Sequence, residues 1–113
     1  MTGPVQVRQR TQDGLPVLEI AGELDASSSA SLPDRLLPLI PADQQVSLDL
    51  SQVPYISSAG LRTLLLAYRR AQESGARIRL TRLPDQVRFV MATTGFLELF
   101  ELEEADHISP ELQ

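Results

Sequence analysis

The chain contains no cysteine. Disulfide frameworks, thiolate nucleophiles and zinc sites built on thiolates are therefore excluded. Histidine occurs once, as His107, among acidic residues near the C-terminus. A serine–histidine triad or a histidine-rich metal site is not expected from so little imidazole. No run approaches the roughly 20 apolar residues that a membrane span needs, and no basic stretch followed by an apolar one opens the chain. Membrane insertion and secretion are not expected; a cytoplasmic location is. Neither a Gly-x-x-x-x-Gly-Lys-Ser/Thr phosphate loop nor a Gly-x-Ser-x-Gly elbow occurs. The expectation is a protein that is not an enzyme and has no cofactor and no metal.

Lysine is also absent, so all ten basic residues are arginines, set against 15 acids for a net charge of -5. That balance argues against nucleic acid as a partner, because phosphate binding requires a basic surface. The charges are unevenly placed. From Ser57 to Phe96 there are seven arginines and two acids; from Leu97 to Gln113 there are six acids and no base. This is either an ordinary solvated helix face beside an acidic tail, or a basic surface that meets an acidic protein. The 113 residues suit a single domain over 1–113, with a core at about 5–102 and an acidic tail at 103–113.

The hydrophobic pattern alternates between periods of two and of 3.6. Val5-Gln6-Val7-Arg8 and the run from Val17 to Leu24 read as strands, with Asp13-Gly14 between them as a hairpin turn. A helix is expected between Ser28 and Ile40, with Ser31 capping, Pro33 in its first turn and Pro38 bending or finishing it. Val46 to Leu50 reads as a strand, and Val53, Tyr55 and Ile56 as its extension toward the core. The strongest helix follows Ser57-Ser58-Ala59-Gly60, with Leu61, Leu64, Leu65, Tyr68 and Ala71 on one face and Gly75 as its cap. Arg77 to Leu80 reads as a strand. Pro84 opens a helix with Val87, Val90 and Met91 on one face and Gly95 at its end. Leu97 to Leu102 reads as a short edge strand. Strands alternating with helices imply an α/β domain, with parallel pairing after the first hairpin.

The most informative segment runs from Leu48 through Asp49, Pro54 and Ser57-Ser58-Ala59-Gly60-Leu61 to Arg62. A strand ends and a helix begins within a few small residues. Serine there serves as an N-cap, and glycine permits close backbone approach. The helix start presents unpaired N–H groups and partial positive charge, which tolerate a phosphate on a serine. On physics alone these are also ordinary capping residues.

The same residues carry a resemblance. Gly22-Glu23-Leu24-Asp25, Leu48-Asp49-Leu50-Ser51, Ser57-Ser58-Ala59-Gly60-Leu61 and Thr94-Gly95-Phe96 occur in the order and spacing of a STAS domain. The likeness to the anti-sigma factor antagonists of that family spans about Val5 to Leu102. It implies the STAS fold: a mixed sheet of four to five strands with about three to four helices packed on it. It also implies an anti-sigma factor of the serine-kinase type as partner, a phosphatase that resets the switch, and phosphorylation at the position of Ser58. Two residues depart from the family's Asp-Ser-Ser/Thr-Gly-Leu signature. Ser57 stands where aspartate is usual, making it a second candidate acceptor, and Ala59 stands where a second hydroxyl often sits.

Partner-binding candidates are Asp25, Ser57, Ser58, Ala59, Gly60, Arg62, Leu66 and Arg69. Leu66 is apolar on the helix side that carries Arg62, Arg69, Arg70 and Glu73, which reads as an anchor with a charged rim or as a stray exposed leucine. Asp25, in the loop that the resemblance places near the phosphorylation site, either caps the first helix or helps to hold the acceptor serine or contacts the kinase. The resemblance leaves a second reading open, in which the chain is a non-phosphorylated STAS subunit of an ABC-type lipid transport or other signalling complex.

Overall fold

A computed structural model describes residues 5–102 of the chain. Strands β1 (Gln6–Gln12) and β2 (Leu15–Ala21) form an antiparallel hairpin. Its turn residues Asp13 and Gly14 have φ of 54° and 80°. Two consecutive left-handed residues give a two-residue turn the twist that right-twisted strands need. Both strands are longer or shifted relative to the expected runs: β1 extends to the turn, and β2 stops at Ala21 rather than Leu24.

The expected helix after β2 is divided. Helix α1 (Ala26–Ser29) is a single turn, α2 (Leu32–Leu36) follows, and a 3-10 turn covers Leu37–Leu39. Ser31 occupies the N-cap position of α2 but its side chain makes no capping bond. Leu32 and Leu36 are fully buried, so apolar packing rather than capping seats this segment. Pro38 lies in the 3-10 turn, which replaces a further α-helical turn as its missing N–H requires.

Strand β3 (Gln45–Gln52) pairs parallel to β2, and β4 (Arg77–Thr81) pairs parallel to β3. Between them lies α3 (Ser58–Ser74), which ends at Gly75 with φ of 78°. Helix α4 (Asp85–Thr93) follows β4, with Pro84 at its N-cap. The expected edge strand at Leu97–Leu102 is mostly a 3-10 turn, Phe96–Leu99, which leaves only Glu101–Leu102 as β5 beside β4. Gly95, with φ of 82°, turns the chain back so that Phe96 and Leu97 pack on the core.

The sheet order is β1-β2-β3-β4-β5. Each parallel connection therefore steps the same way. Because such crossovers are right-handed, all the helices collect on one sheet face. Leu18, Ile20, Val46, Leu48, Leu50, Ile78 and Leu80 point into that helix layer and are buried. The intervening residues of the same strands face away from the helices. Fully burying a leucine such as Leu64 contributes about 2–3 kcal/mol, against about 1 kcal/mol for a helix cap. Packing therefore places α3 on the sheet, while its cap decides where the helix begins.

Candidate functional site

The loop after β3 leaves the sheet at the C-terminal ends of the parallel strands. Val53 and Ile56 of this loop are buried. Tyr55, expected to point toward the core with them, is 44% exposed instead. Ile56 forms an isolated parallel bridge with Leu24, and the Leu24 N–H donates to the Tyr55 carbonyl at 2.9 Å. On the other side, the Ile56 N–H donates to Gln86 Oε1 at 3.1 Å. The loop is thus tied both to the segment after β2 and to the first turn of α4.

The two serines have different tasks. Ser57 is the N-cap of α3, with φ -105° and ψ -179°. Its N–H donates to the Leu24 carbonyl at 2.8 Å, and its Oγ donates to the same oxygen at 3.2 Å. The Gly60 N–H donates back to Ser57 Oγ at 3.4 Å. Ser58 is the first helical residue and is exposed. Among the described residues its hydroxyl has no hydrogen-bond partner. The free hydroxyl and the structural hydroxyl are therefore adjacent in sequence and separate in role.

Gly60 is the contact point beneath them. A Cβ placed on it would lie 2.5 Å from the Leu24 carbonyl oxygen and 2.7 Å from Leu24 Cβ. Only glycine lets the start of α3 approach the segment after β2 closely enough for Ser57 to reach Leu24. Ala59 is half-buried beside it.

Asp25 caps α1. Its Oδ1 accepts from the Ser28 N–H at 3.0 Å, and the Asp25 N–H donates to Ser28 Oγ at 3.0 Å. The Ser28 amide holds the Asp25 carboxyl below its usual range, against a smaller opposing desolvation. Asp25 follows Leu24 directly, so it borders the site, but its carboxylate is spent on the cap rather than on either serine.

Arg62, Arg69 and Arg70 are exposed on α3. Leu66, expected among them as an exposed side chain, is half-buried. Leu65 and Tyr68, expected as core, are only half-buried, whereas Thr63 and Ala67 are buried. The buried stripe of α3 is Gly60, Leu61, Thr63, Leu64, Ala67 and Ala71. It is therefore rotated toward smaller residues, and it includes a threonine that hydrophobic periodicity passes over. The other residues missed from sequence are Leu24, as a backbone acceptor, and Gln86. No local pattern marks a glutamine that reaches a loop 30 residues away. Phe89, one turn beyond Gln86 on α4, is 67% exposed.

The family model described as "Mlab, STAS domain" matches residues 7–102, and the chain belongs to the STAS domain family. Two relatives carry the name anti-sigma factor antagonist. The chain is 32% identical over 89 residues to the protein of Bordetella bronchiseptica named "Putative anti-sigma factor antagonist BtrV", covering 78% of this chain and 77% of that protein. It is 26% identical over 98 residues to the anti-sigma-B factor antagonist of Bacillus subtilis, covering 87% and 88%. In fold it is similar to an anti-sigma factor antagonist (STAS) domain protein from Planctomyces limnophilus, with a TM-score of 0.73, 14% identity and coverage of 85% and 87%. The mixed sheet with its helices on one face is the STAS fold, as expected from the motifs.

Proposed function

We propose that this protein is an anti-sigma factor antagonist: a cytoplasmic, non-catalytic module that binds an anti-sigma factor of the serine-kinase type and is released when Ser58 is phosphorylated. The observation that carries this reading is the exposed Ser58 hydroxyl on the first turn of α3, next to a Ser57 whose hydroxyl is occupied. The names borne by its relatives support the choice of partner. The partner surface is centred on Ser58, with Asp25, Ser57, Ala59 and Gly60 shaping the loop and Arg62, Leu66 and Arg69 continuing it along α3. Ser57 ranks second as acceptor because phosphorylating it would break its bond to Leu24 and the cap of α3.

The switch works through charge, without refolding. A phosphate adds about -1.5 to -2 charge at one point, and facing like charges across an interface cost several kcal/mol. Since about 1.4 kcal/mol is tenfold in affinity, such a penalty ends binding. The free N–H groups at the start of α3 accommodate the phosphate in the unbound protein, so the modified chain stays folded. A phosphatase then returns Ser58 to its hydroxyl.

Two measurements test this reading. Incubation with the cognate kinase and ATP, followed by mass spectrometry, is expected to place the phosphate on Ser58. Ser58→Glu is expected to weaken partner binding at least tenfold while Ser58→Ala binds like the parent. Equal binding by both variants overturns the role of Ser58.

A second reading has one observation in its favour. Ser57 replaces the aspartate that such signatures usually carry, so a kinase would meet an altered acceptor. In that case the same surface grips the ATPase of an ABC-type lipid transport complex and no phosphate is transferred. The protein that copurifies with the chain separates the two.

A further inference from the structure

The sheet face turned away from the helices carries a second, unrelated feature. Register places Arg10, Val17, Ser47 and Arg79 in one row across β1 to β4. The neighbouring row is Arg8, Glu19, Asp49 and Thr81. In the first row two long cationic side chains flank two short ones. The result is a concavity of about 400 Å³, floored by Val17 and Ser47 and bordered by Arg10, Arg79 and Arg82. That volume lies within the range of small-molecule sites, about 300–1,000 Å³. Its lining holds three guanidinium groups against one carboxylate, Asp13, in a protein whose net charge is -5.

Two of these arginines are prepared in opposite ways. Arg10 is held in place by ion pairs to Glu19 and to Asp49, the latter at 3.1 Å. Its NH1 also donates to Gln12 at 2.8 Å. Among the described residues Arg82 has no hydrogen-bond or ion-pair partner, although its charge helps to keep the Asp49 carboxyl ionised. Arg82 also has φ of 60°, a left-handed conformation that costs an arginine about 1–2 kcal/mol and suits glycine or asparagine. Arg82 is thus a strained, exposed arginine that makes no direct bond and stands at the edge of a basic concavity. Strain of this kind is retained where it aims a side chain at a ligand.

We propose that this concavity binds a small metabolite through an oxyanion, a phosphate or carboxylate group held by Arg82 together with Arg10 and Arg79. The planar guanidinium fork matches the geometry of either anion. Gln12, Gln45 and Ser47 supply hydrogen bonds to the remainder of the ligand, and Leu15 and Val17 supply an apolar contact. The site lies on the sheet face opposite α3, so the protein has a ligand input physically distinct from Ser58.

The test is titration of the full chain, followed by calorimetry and by backbone amide shifts, with pyrophosphate and with citrate as separate probes. The expected result is saturable binding of at least one probe, with shifts concentrated at residues 10–17, 45–47 and 79–82. Preference for pyrophosphate assigns a phosphorylated ligand; preference for citrate assigns a carboxylate. Arg82→Asn is expected to fold as well as the parent, because asparagine tolerates the left-handed region, and to lose affinity at least tenfold. Ser58→Ala is expected to bind the probe unchanged. No saturable binding of either probe, parental affinity in Arg82→Asn, or shifts spread evenly over all surface arginines each overturn the proposal.

Discussion

At the scale of single residues, the site depends on one oxygen. The Leu24 carbonyl accepts from both the backbone and the hydroxyl of Ser57, and it is the nearest atom to a Cβ built on Gly60. Ser57, Gly60 and Leu24 therefore form one contact, and Ser58 is displayed because they do. Gly60→Ala is expected to push the start of α3 away from Leu24. The overpacking should cost about 1–3 kcal/mol, or several degrees in thermal midpoint. A midpoint equal to the parent's would mean that the backbone gives way and the close approach is dispensable. Serines at a helix start were legible as caps from their type and place alone. That the Ser57 hydroxyl also donates across the fold was not, because its acceptor, the Leu24 carbonyl, is 33 residues away. Asp25 does cap α1, through a capping box with Ser28 that lies within three residues.

At the scale of elements, α3 shows both the strength and the limit of reading periodicity. Its extent and its glycine end follow from apolar spacing and from Gly75. Its rotation does not, because a helix lying on a sheet also buries small residues that hydropathy does not weight. Thr63 is 1% exposed, and the packed stripe shifts toward it and Ala67. Leu66 consequently sits at the border, half-buried beside exposed Arg69 and Arg70. Leu66→Asp is expected to weaken partner binding by at least tenfold while the domain still melts cooperatively. Loss of the folded state instead would assign Leu66 to the core. The segment between Ser28 and Ile40 was legible in part: Ser31 stands at the N-cap position of α2, Pro33 lies in its first turn, and the helix gives way to a 3-10 turn at Pro38. The separate turn α1, closed by the Asp25–Ser28 capping box, was not.

At the scale of the whole molecule, the sheet order determines what is covered and what is open. One-directional, right-handed crossovers place every helix on one side and leave the polar row of Arg8, Glu19 and Asp49 on the other. Asp49 is 4% exposed, and burial pushes its carboxyl pKa upward. The Ser51 amide at 2.9 Å, the Ser51 hydroxyl, and Arg10 together outweigh burial, so the net shift is downward. A carboxyl depressed in the folded state stabilises the fold above its unfolded pKa of about 3.9, and this contribution fades as pH falls through the lower folded value. Asp49→Asn is therefore expected to lower stability at pH 7 by about 1–3 kcal/mol. Its thermal midpoint should converge on the parent's as pH drops below about 4. A gap that stays constant across that range would show that Asp49 acts through shape and not through charge.

The chain by itself determined the class of fold, the order of its main strands and helices, the position of the serine pair at a helix start, and the family. Each of these rests on short-range information: period, turn residues, glycines, and motifs within a few positions. Tertiary structure decided which serine is occupied and which is free, how far α3 is rotated, that Tyr55 faces outward, and that arginines from β1, β4 and the residue after β4 converge on one open face. Those outcomes depend on backbone atoms and strand register brought together across tens of residues, and no local pattern encodes them.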